Sequence, residues 1–299
     1  MVSLKKKVIG KQEYYYLEHS FRIGRKVQKK EVYLGKEIPL DIEEIKREFI
    51  NGIYKEKFFK TIDAIKAGYS KEKANTPKSA FEKETETFAT KFTYDTQRIE
   101  GSTLTLRETA NLLEKGITPK SKPMRDVKEA ETHKKLFYEM LKCKKDISLQ
   151  LLLEWHRILL KETKADIAGK IRKHQVAISG SKFMPPFPAE VYPLLREFFS
   201  RYEKNKSKMH PVELAALVHL KFVTIHPFSD GNGRISRIMM NFVLHKRGYP
   251  MLDIPYTGRD SYYNALQRAQ IKKADSVFVV WLIKKYIKEN KKYMKKQNI

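Results

Sequence analysis

Twelve consecutive residues, HPFSDGNGRISR at 226–237, bring together a histidine, a carboxylate, two glycines flanking an asparagine, and two arginines. Each type suits one part of a single task. Gly231, Asn232 and Gly233 can turn backbone N–H groups toward an anion, and a helix beginning after them adds its positive end. Asp230 is placed to hold Mg²⁺, which takes one or two carboxylates together with phosphate oxygens. Arg234 and Arg237 are three apart, so they share one helix face and can both reach a polyphosphate as planar forks. His226 is the obvious group here for taking a proton near neutral pH. The chemistry they describe together is a loop that holds a nucleoside triphosphate and moves part of it. Singly, each residue has a plainer reading: a histidine before proline is commonly structural, glycines close turns, and arginines pair with surface carboxylates. A joint accident is the weaker explanation. The loop is not a dinucleotide fingerprint, because the third glycine of G-x-G-x-x-G is missing and no strand precedes it. Nor do His219 and His226, seven apart, have the helical spacing of a zinc pair.

The elements that must position this loop are helices. Pro211 suits a first helical position, and VELAALVHLKFVTI after it is apolar nearly all round, as a helix in the middle of a domain is. It delivers the chain directly to His226. Apolar residues three and four apart predict further helices over 80–99, 126–143, 149–161, 191–202, 235–246, 260–272 and 276–291. Thr105 and Glu108 have capping-box spacing for another that Gly116 ends. VAISGSKFMPPFP interrupts the series as a short hairpin and an extended segment. The first forty residues differ: YYYLEHSFRIG and KVQKKEVYLG, separated at Gly24-Arg25, read as a two-stranded hairpin, followed by a helix over 41–69 that Asn75-Thr76-Pro77 breaks. The expected class is mainly α. The expected divisions are an N-terminal β-hairpin and helix over 1–78, a helical catalytic domain over 79–291, and a basic tail over 292–299.

Composition narrows the setting. At 299 residues, 41% hydrophobic and 11% aromatic, the chain can bury a full core. No apolar run reaches the ~18 residues of a membrane span, the start lacks the apolar core of a signal peptide, and the one cysteine excludes an internal disulfide. A cytoplasmic address is the expectation. The net charge of +26 is spread along the chain, which favours a solvated lysine surface over a dedicated nucleic-acid footprint.

HPFSDGNGRISR matches the signature of the Fic-domain family, HxFx(D/E)GNGRxxR, at every fixed position. AGKIRKHQVAISGSKFMPPFPAEV resembles the family's stretch through its flap hairpin, and GRDSYYNALQRA its nucleotide-flanking helix, so the resemblance covers roughly residues 80–290. It implies a Fic-type helical bundle with a small β-hairpin flap, and transfer of AMP from ATP to a Ser, Thr or Tyr hydroxyl of a protein. In that reading His226 deprotonates the target hydroxyl and Asp230 holds the Mg²⁺ bridging the α- and β-phosphates. Gly231, Asn232 and Gly233 stabilise the α/β region, Arg234 binds the leaving phosphates, Arg237 holds the γ-phosphate, and Phe228 anchors the loop.

TQRIEG at 96–101 is unremarkable as a helix end capped by glycine. It also matches the family's inhibitory pattern (S/T)xxxE(G/N), in the subclass whose inhibitory helix, here 80–101, precedes the catalytic core. The resemblance implies that Glu100 pairs with Arg237 and denies it to the γ-phosphate, with Thr96 and Gly101 completing the motif. In some relatives the same glutamate orients a water that removes AMP, so removal, or transfer of another nucleotide, stands as the alternative. A nucleic-acid-binding regulator on a Fic-like core is the second alternative. The resemblance places the target-docking flap at Ile178, Ser179, Gly180, Ser181, Lys182 and Phe183, and Tyr262 and Tyr263 beside the adenine. Implied partners are a protein target, the chain itself as acceptor, and a second copy in a homodimer; nucleic acid ranks behind these.

Overall fold

Alternation of side chains along YYYLEHSF builds a half-buried strand, because successive residues point to opposite faces. The computed structural model describes residues 2–23 and 26–297; the expected turn at Gly24-Arg25 lies outside them. The chain divides into two compact units, Met1–Ile65 and Lys66–Ile299. In the first, β2 (Gln12–Ile23) lies between β1 (Ser3–Ile9) and β3 (Lys26–Gly35), antiparallel to both. The expected two-stranded hairpin is therefore a three-stranded sheet. The added strand, SLKKKVI, pairs from Ser3 opposite Glu18 to Ile9 opposite Gln12. Its lysines conceal it from pattern reading, since an edge strand tolerates charge on either face. Leu17 and Phe21 are buried on one face. There the π-helical turn (Lys55–Phe59) that follows α1 (Ile42–Tyr54) meets the sheet, with Lys57 lying 5.3 Å over the Phe21 ring and Glu56 paired to Lys30. The division between units falls inside α2 (Lys60–Asn75).

The second unit is helical: α3 (Lys78–Ile99), α4 (Leu106–Lys115), α5 (Met124–Lys142), α6 (Leu149–Leu160), α7 (Pro188–Asn205), α8 (Pro211–Ile225), α9 (Asn232–Lys246), α10 (Arg259–Ile271) and α11 (Asp275–Glu289). The capping box at Thr105 and Glu108 forms, and Gly116 ends α4 in the left-handed conformation at φ 69°. Helix α8 packs against α7, α9 and α11, so its apolar circumference is used on all sides. Helix α9 also meets α3, α5 and α6. The loop joining α8 to α9 is thereby held between the two most enclosed helices. Past α11, Tyr293 of the expected basic tail is buried edge-on against Tyr69.

The expected flap hairpin does not form a ladder. Residues 173–187 contain no strand; Ser181 N–H donates to the Ile178 carbonyl at 3.0 Å around Gly180, whose φ is 73°. Beyond Met184, Pro185, Pro186 and Pro188 lack the N–H donors a second strand needs.

Candidate active site

Helix α8 ends at His226 in a left-handed conformation, φ 52° and ψ 56°, uncommon for a residue with a side chain. That turn sends the imidazole back along its own helix. His226 Nδ1 lies 3.1 Å from the Val223 carbonyl, which can only accept, so Nδ1 carries the proton and Nε2 keeps its lone pair. Burial pushes the imidazolium pKa down, so the ring is neutral near neutral pH. A neutral ring with a free nitrogen is the state a general base requires.

The loop is clasped by its own asparagine. Asn232 is buried, its amide donating to the Phe228 carbonyl at 2.8 Å and its Oδ1 accepting from Phe228 N–H at 2.9 Å. Both ends of its side chain are engaged in shaping the loop, which leaves its backbone N–H for an anion. Phe228 is fully buried and stacks on His156 at 3.7 Å with 7° between planes, as its expected role as anchor requires. His156 accepts from Gly169 N–H at Nδ1 (2.9 Å) and donates from Nε2 to the Asp230 carbonyl (3.0 Å). A Cβ on Gly231, at φ 79°, would be strained and would press on the His156 ring. A Cβ on Gly233 would collide with the Glu100 carboxylate. The backbone of Gly231 thus favours glycine, a side chain at 233 would push Glu100 aside, and the first-turn amides of α9 point outward without helical partners.

Two arginines on α9 are buried. Arg234 pairs with Glu129 of α5 and donates to Asp230 Oδ1 at 3.0 Å. Arg237 donates to Glu100 Oε1 at 2.5 Å, to Thr96 Oγ1 at 3.3 Å, to the Thr96 carbonyl at 3.4 Å and to the Tyr262 hydroxyl at 3.2 Å. Burial works against the Arg237 charge, but Tyr262 and Glu100 raise its pKa regardless. Helix α3 ends at Glu100, with Gly101 following at φ 97°. Asp230 is paired with Lys164 and Arg234 and accepts from Gly231 N–H at 2.5 Å. Burial opposes its charge, yet Arg234 and Lys164 hold its carboxyl well below the usual range. A permanently ionised, partly exposed carboxylate beside phosphate-sized anion donors fits Mg²⁺, which draws its remaining ligands from phosphates and water. The described residues hold no cluster of three metal-ligating side chains, so an all-protein cage is not the design.

The two expected adenine tyrosines part company. Tyr262 is buried, ringed by Tyr263, Phe278, Trp281 and His219, and its hydroxyl lies 2.9 Å from His219 Nε2. It supports Arg237 from the core, because a fully enclosed ring has no face to offer a base. Tyr263 is 43% exposed and donates to the Ile99 carbonyl at 3.0 Å, beside Glu100. Flap residues 178–183 lie at the surface. Their tip is pinned by Gln267 of α10, whose Oε1 accepts from Lys182 N–H at 2.7 Å and from Ser181 Oγ at 3.4 Å, while Phe183 N–H donates to Ser181 Oγ.

Sequence reading missed Glu129, His156, Lys164, Arg172 and Gln267. Arg172 is buried and donates to the carbonyls of His226 (2.8 Å), His174 (3.0 Å) and Pro186 (2.6 Å), tying the flap's two ends to the catalytic turn. Arg172 and Gln267 lie in stretches already quoted, but nothing in their spacing singles them out, and only the fold brings the five to the loop.

The comparisons agree with this geometry. Residues 146–244 match the Fic/DOC family model. Protein adenylyltransferase Fic of Drosophila ananassae is 38% identical over 181 residues, 59% of this chain and 36% of that protein, and its Drosophila melanogaster counterpart matches equally. The match thus spans about a third of the length of those curated relatives. Among solved structures, a Fic domain containing signaling protein from Bacteroides thetaiotaomicron superimposes with TM-score 0.70 at 27% identity, covering 78% of this chain and 97% of that one. Fic-1 (residues 134–508) from C. elegans gives 0.69 at 26%, covering 86% and 76%. The mainly helical Fic fold expected from the sequence is the fold observed.

Proposed function

We propose that this chain is a protein adenylyltransferase held in check by Glu100. The observation that carries the reading is Arg237, whose guanidinium is engaged by Glu100, Thr96 and Tyr262 while the catalytic loop around it is otherwise assembled. His226 Nε2 takes the proton from a Ser, Thr or Tyr hydroxyl of the target. That oxygen attacks the α-phosphorus of ATP, the bond from the α-phosphorus to the bridging oxygen breaks, and pyrophosphate departs. The backbone at Gly231–Gly233 and the Arg234 guanidinium bind the α/β region and the leaving phosphates. Asp230 would hold Mg²⁺, which supplies charge neutralisation on the phosphates. Positioning and charge neutralisation provide most of the catalysis in such transfers. Glu100 competes with the γ-phosphate for Arg237, so ATP binds in a poor pose until the pair opens. The flap residues 178–183 have no ladder of their own, so a target segment adds there as a strand in exchange for the bonds that Gln267 and Ser181 make to the Lys182 and Phe183 N–H groups.

The test uses ATP labelled at the α-phosphate with Mg²⁺ on the chain, on Glu100→Gly and on Glu100→Gly/His226→Ala, reading label on the protein itself and on lysate proteins. Labelling is expected from Glu100→Gly alone, with the double variant lower by ~10²–10⁴-fold, the usual contribution of a general base. Equal labelling by the double variant would overturn the role of His226. Equal labelling by the unaltered chain would overturn the inhibition.

A further inference from the structure

The sheet of the first unit has a second face that the catalytic reading leaves unused. Register places Tyr14 opposite Lys7, Tyr16 opposite Lys5 and Tyr16 opposite Tyr33, so these side chains share one face, opposite the one bearing Leu17 and Phe21. The three tyrosine rings form a continuous row: Tyr14–Tyr33 at 6.2 Å, Tyr16–Tyr33 at 5.2 Å, with Lys7 Nζ 4.2 Å over the Tyr16 ring. Tyr33 is 54% exposed. Tyr14 and Tyr16 are half-buried beside it, so the row presents one open ring and two ring edges to water, an arrangement that suits recognition. Its charge says what would cover it. Residues 1–36 carry ten lysines and arginines against three glutamates, a net +7. On the tyrosine face Glu31 is neutralised by Lys7 and Glu18 by Lys29, while Lys5 makes no ion pair among the described residues. Fixed rings flanked by cations match a chain of flat, stackable groups joined by phosphates.

We propose that the tyrosine face of this sheet binds single-stranded nucleic acid, its bases stacked on Tyr14, Tyr16 and Tyr33 and its phosphates at Lys5 and, in exchange for Glu31 and Glu18, at Lys7 and Lys29. Stacking on aromatic rings is tolerant of sequence, because every base has a π-face, so the binding is expected to be non-specific and salt-dependent. A protein partner would fit less well, since it offers no regular array of anions to the lysines. The inference is independent of nucleotide transfer and of Glu100.

The experiment is fluorescence anisotropy of the full chain with labelled oligo-dT and oligo-U of about 15 nucleotides, the upper range of such sites, and with a duplex of equal length. The chain is expected to bind both single strands. The logarithm of affinity should fall with log salt at a slope of about −2, three phosphates at ~0.7 each. Tyr16→Ala/Tyr33→Ala should weaken binding by about tenfold or more, while Tyr16→Phe/Tyr33→Phe, which keeps the rings, should bind as the unaltered chain does. Circular dichroism of each variant separates lost stacking from a lost sheet; if the alanine variant unfolds, Lys5→Glu, on an exposed edge strand, provides the same test. Absence of binding at about 50 mM salt, binding insensitive to both the tyrosine and lysine changes, or a duplex preferred over the single strands would each overturn the proposal.

Discussion

Two arginines one turn apart on α9 meet their carboxylates in opposite settings. Arg234 pairs with Glu129 from the middle of α5, where the acid side chain is only 10% exposed and both partners belong to packed helices. Arg237 pairs with Glu100, which caps the C-terminal end of α3, is 25% exposed and is followed by a left-handed glycine. The first pair can part only if the core opens. The second can part if the last turn of one helix shifts. That difference in anchoring separates a structural ion pair from a releasable one, although the two arginines look alike in sequence and are equally buried.

The largest effect should come from the rigid pair. Glu129→Ala leaves the buried Arg234 guanidinium with the partly exposed Asp230 as its one remaining ion-pair partner among the described residues and is expected to cost about 3–5 kcal/mol, read as a fall in chemical-denaturation midpoint, with no gain in transfer. If this variant is stable and hyperactive, the contrast fails. Next is pH. His133 lies against both arginines, and burial, reinforced by Arg237 and Arg234, pushes its pKa down to about 3; burial likewise takes His156 to about 4. A histidine whose folded pKa is depressed contributes stability that is complete above the unfolded value near 6.5 and is lost as pH falls toward the folded value. The melting temperature should therefore drop steadily below about pH 6.5, and less steeply in His133→Gln. A flat profile would mean these rings are not held neutral.

Glu100→Gly should cost only about 1 kcal/mol, since its carboxylate is partly solvated, while raising transfer. A loss as large as that of Glu129→Ala would show that the inhibitory pair is structural after all. Thr96→Val is the finest probe. It removes the hydroxyl acceptor of Arg237 Nε while keeping the side-chain volume, and should cost about 0.5–1.5 kcal/mol with a transfer gain smaller than that of Glu100→Gly. A gain equal to that of Glu100→Gly would move the weight of inhibition onto Thr96.

Much of the site was legible because its chemistry is local. His226, Asp230, the two glycines and both arginines lie within one turn and the first helical turns after it, where sequence spacing alone decides which groups are neighbours. Glu100 was legible by resemblance, since a helix end closing on Gly101 has a recognisable form. Glu129 was not: it is one of many acidic residues on an amphipathic helix, 105 positions from its partner. Lysine concealed β1 from the alternation that revealed β2, and prolines removed the ladder that β-branched residues around the flap had suggested.

The sequence by itself determined the residue types of the candidate site, their order, and the helices that carry them, because caps, periodicity and glycine turns act over a few residues. Only the tertiary structure decided that Asn232 shapes the loop rather than facing it, that Val223 sets the tautomer of His226, and that Tyr262 supports Arg237 from the core. Those outcomes depend on which helices pack together, and burial leaves each polar group there to find its partner among whatever the packing brings within reach.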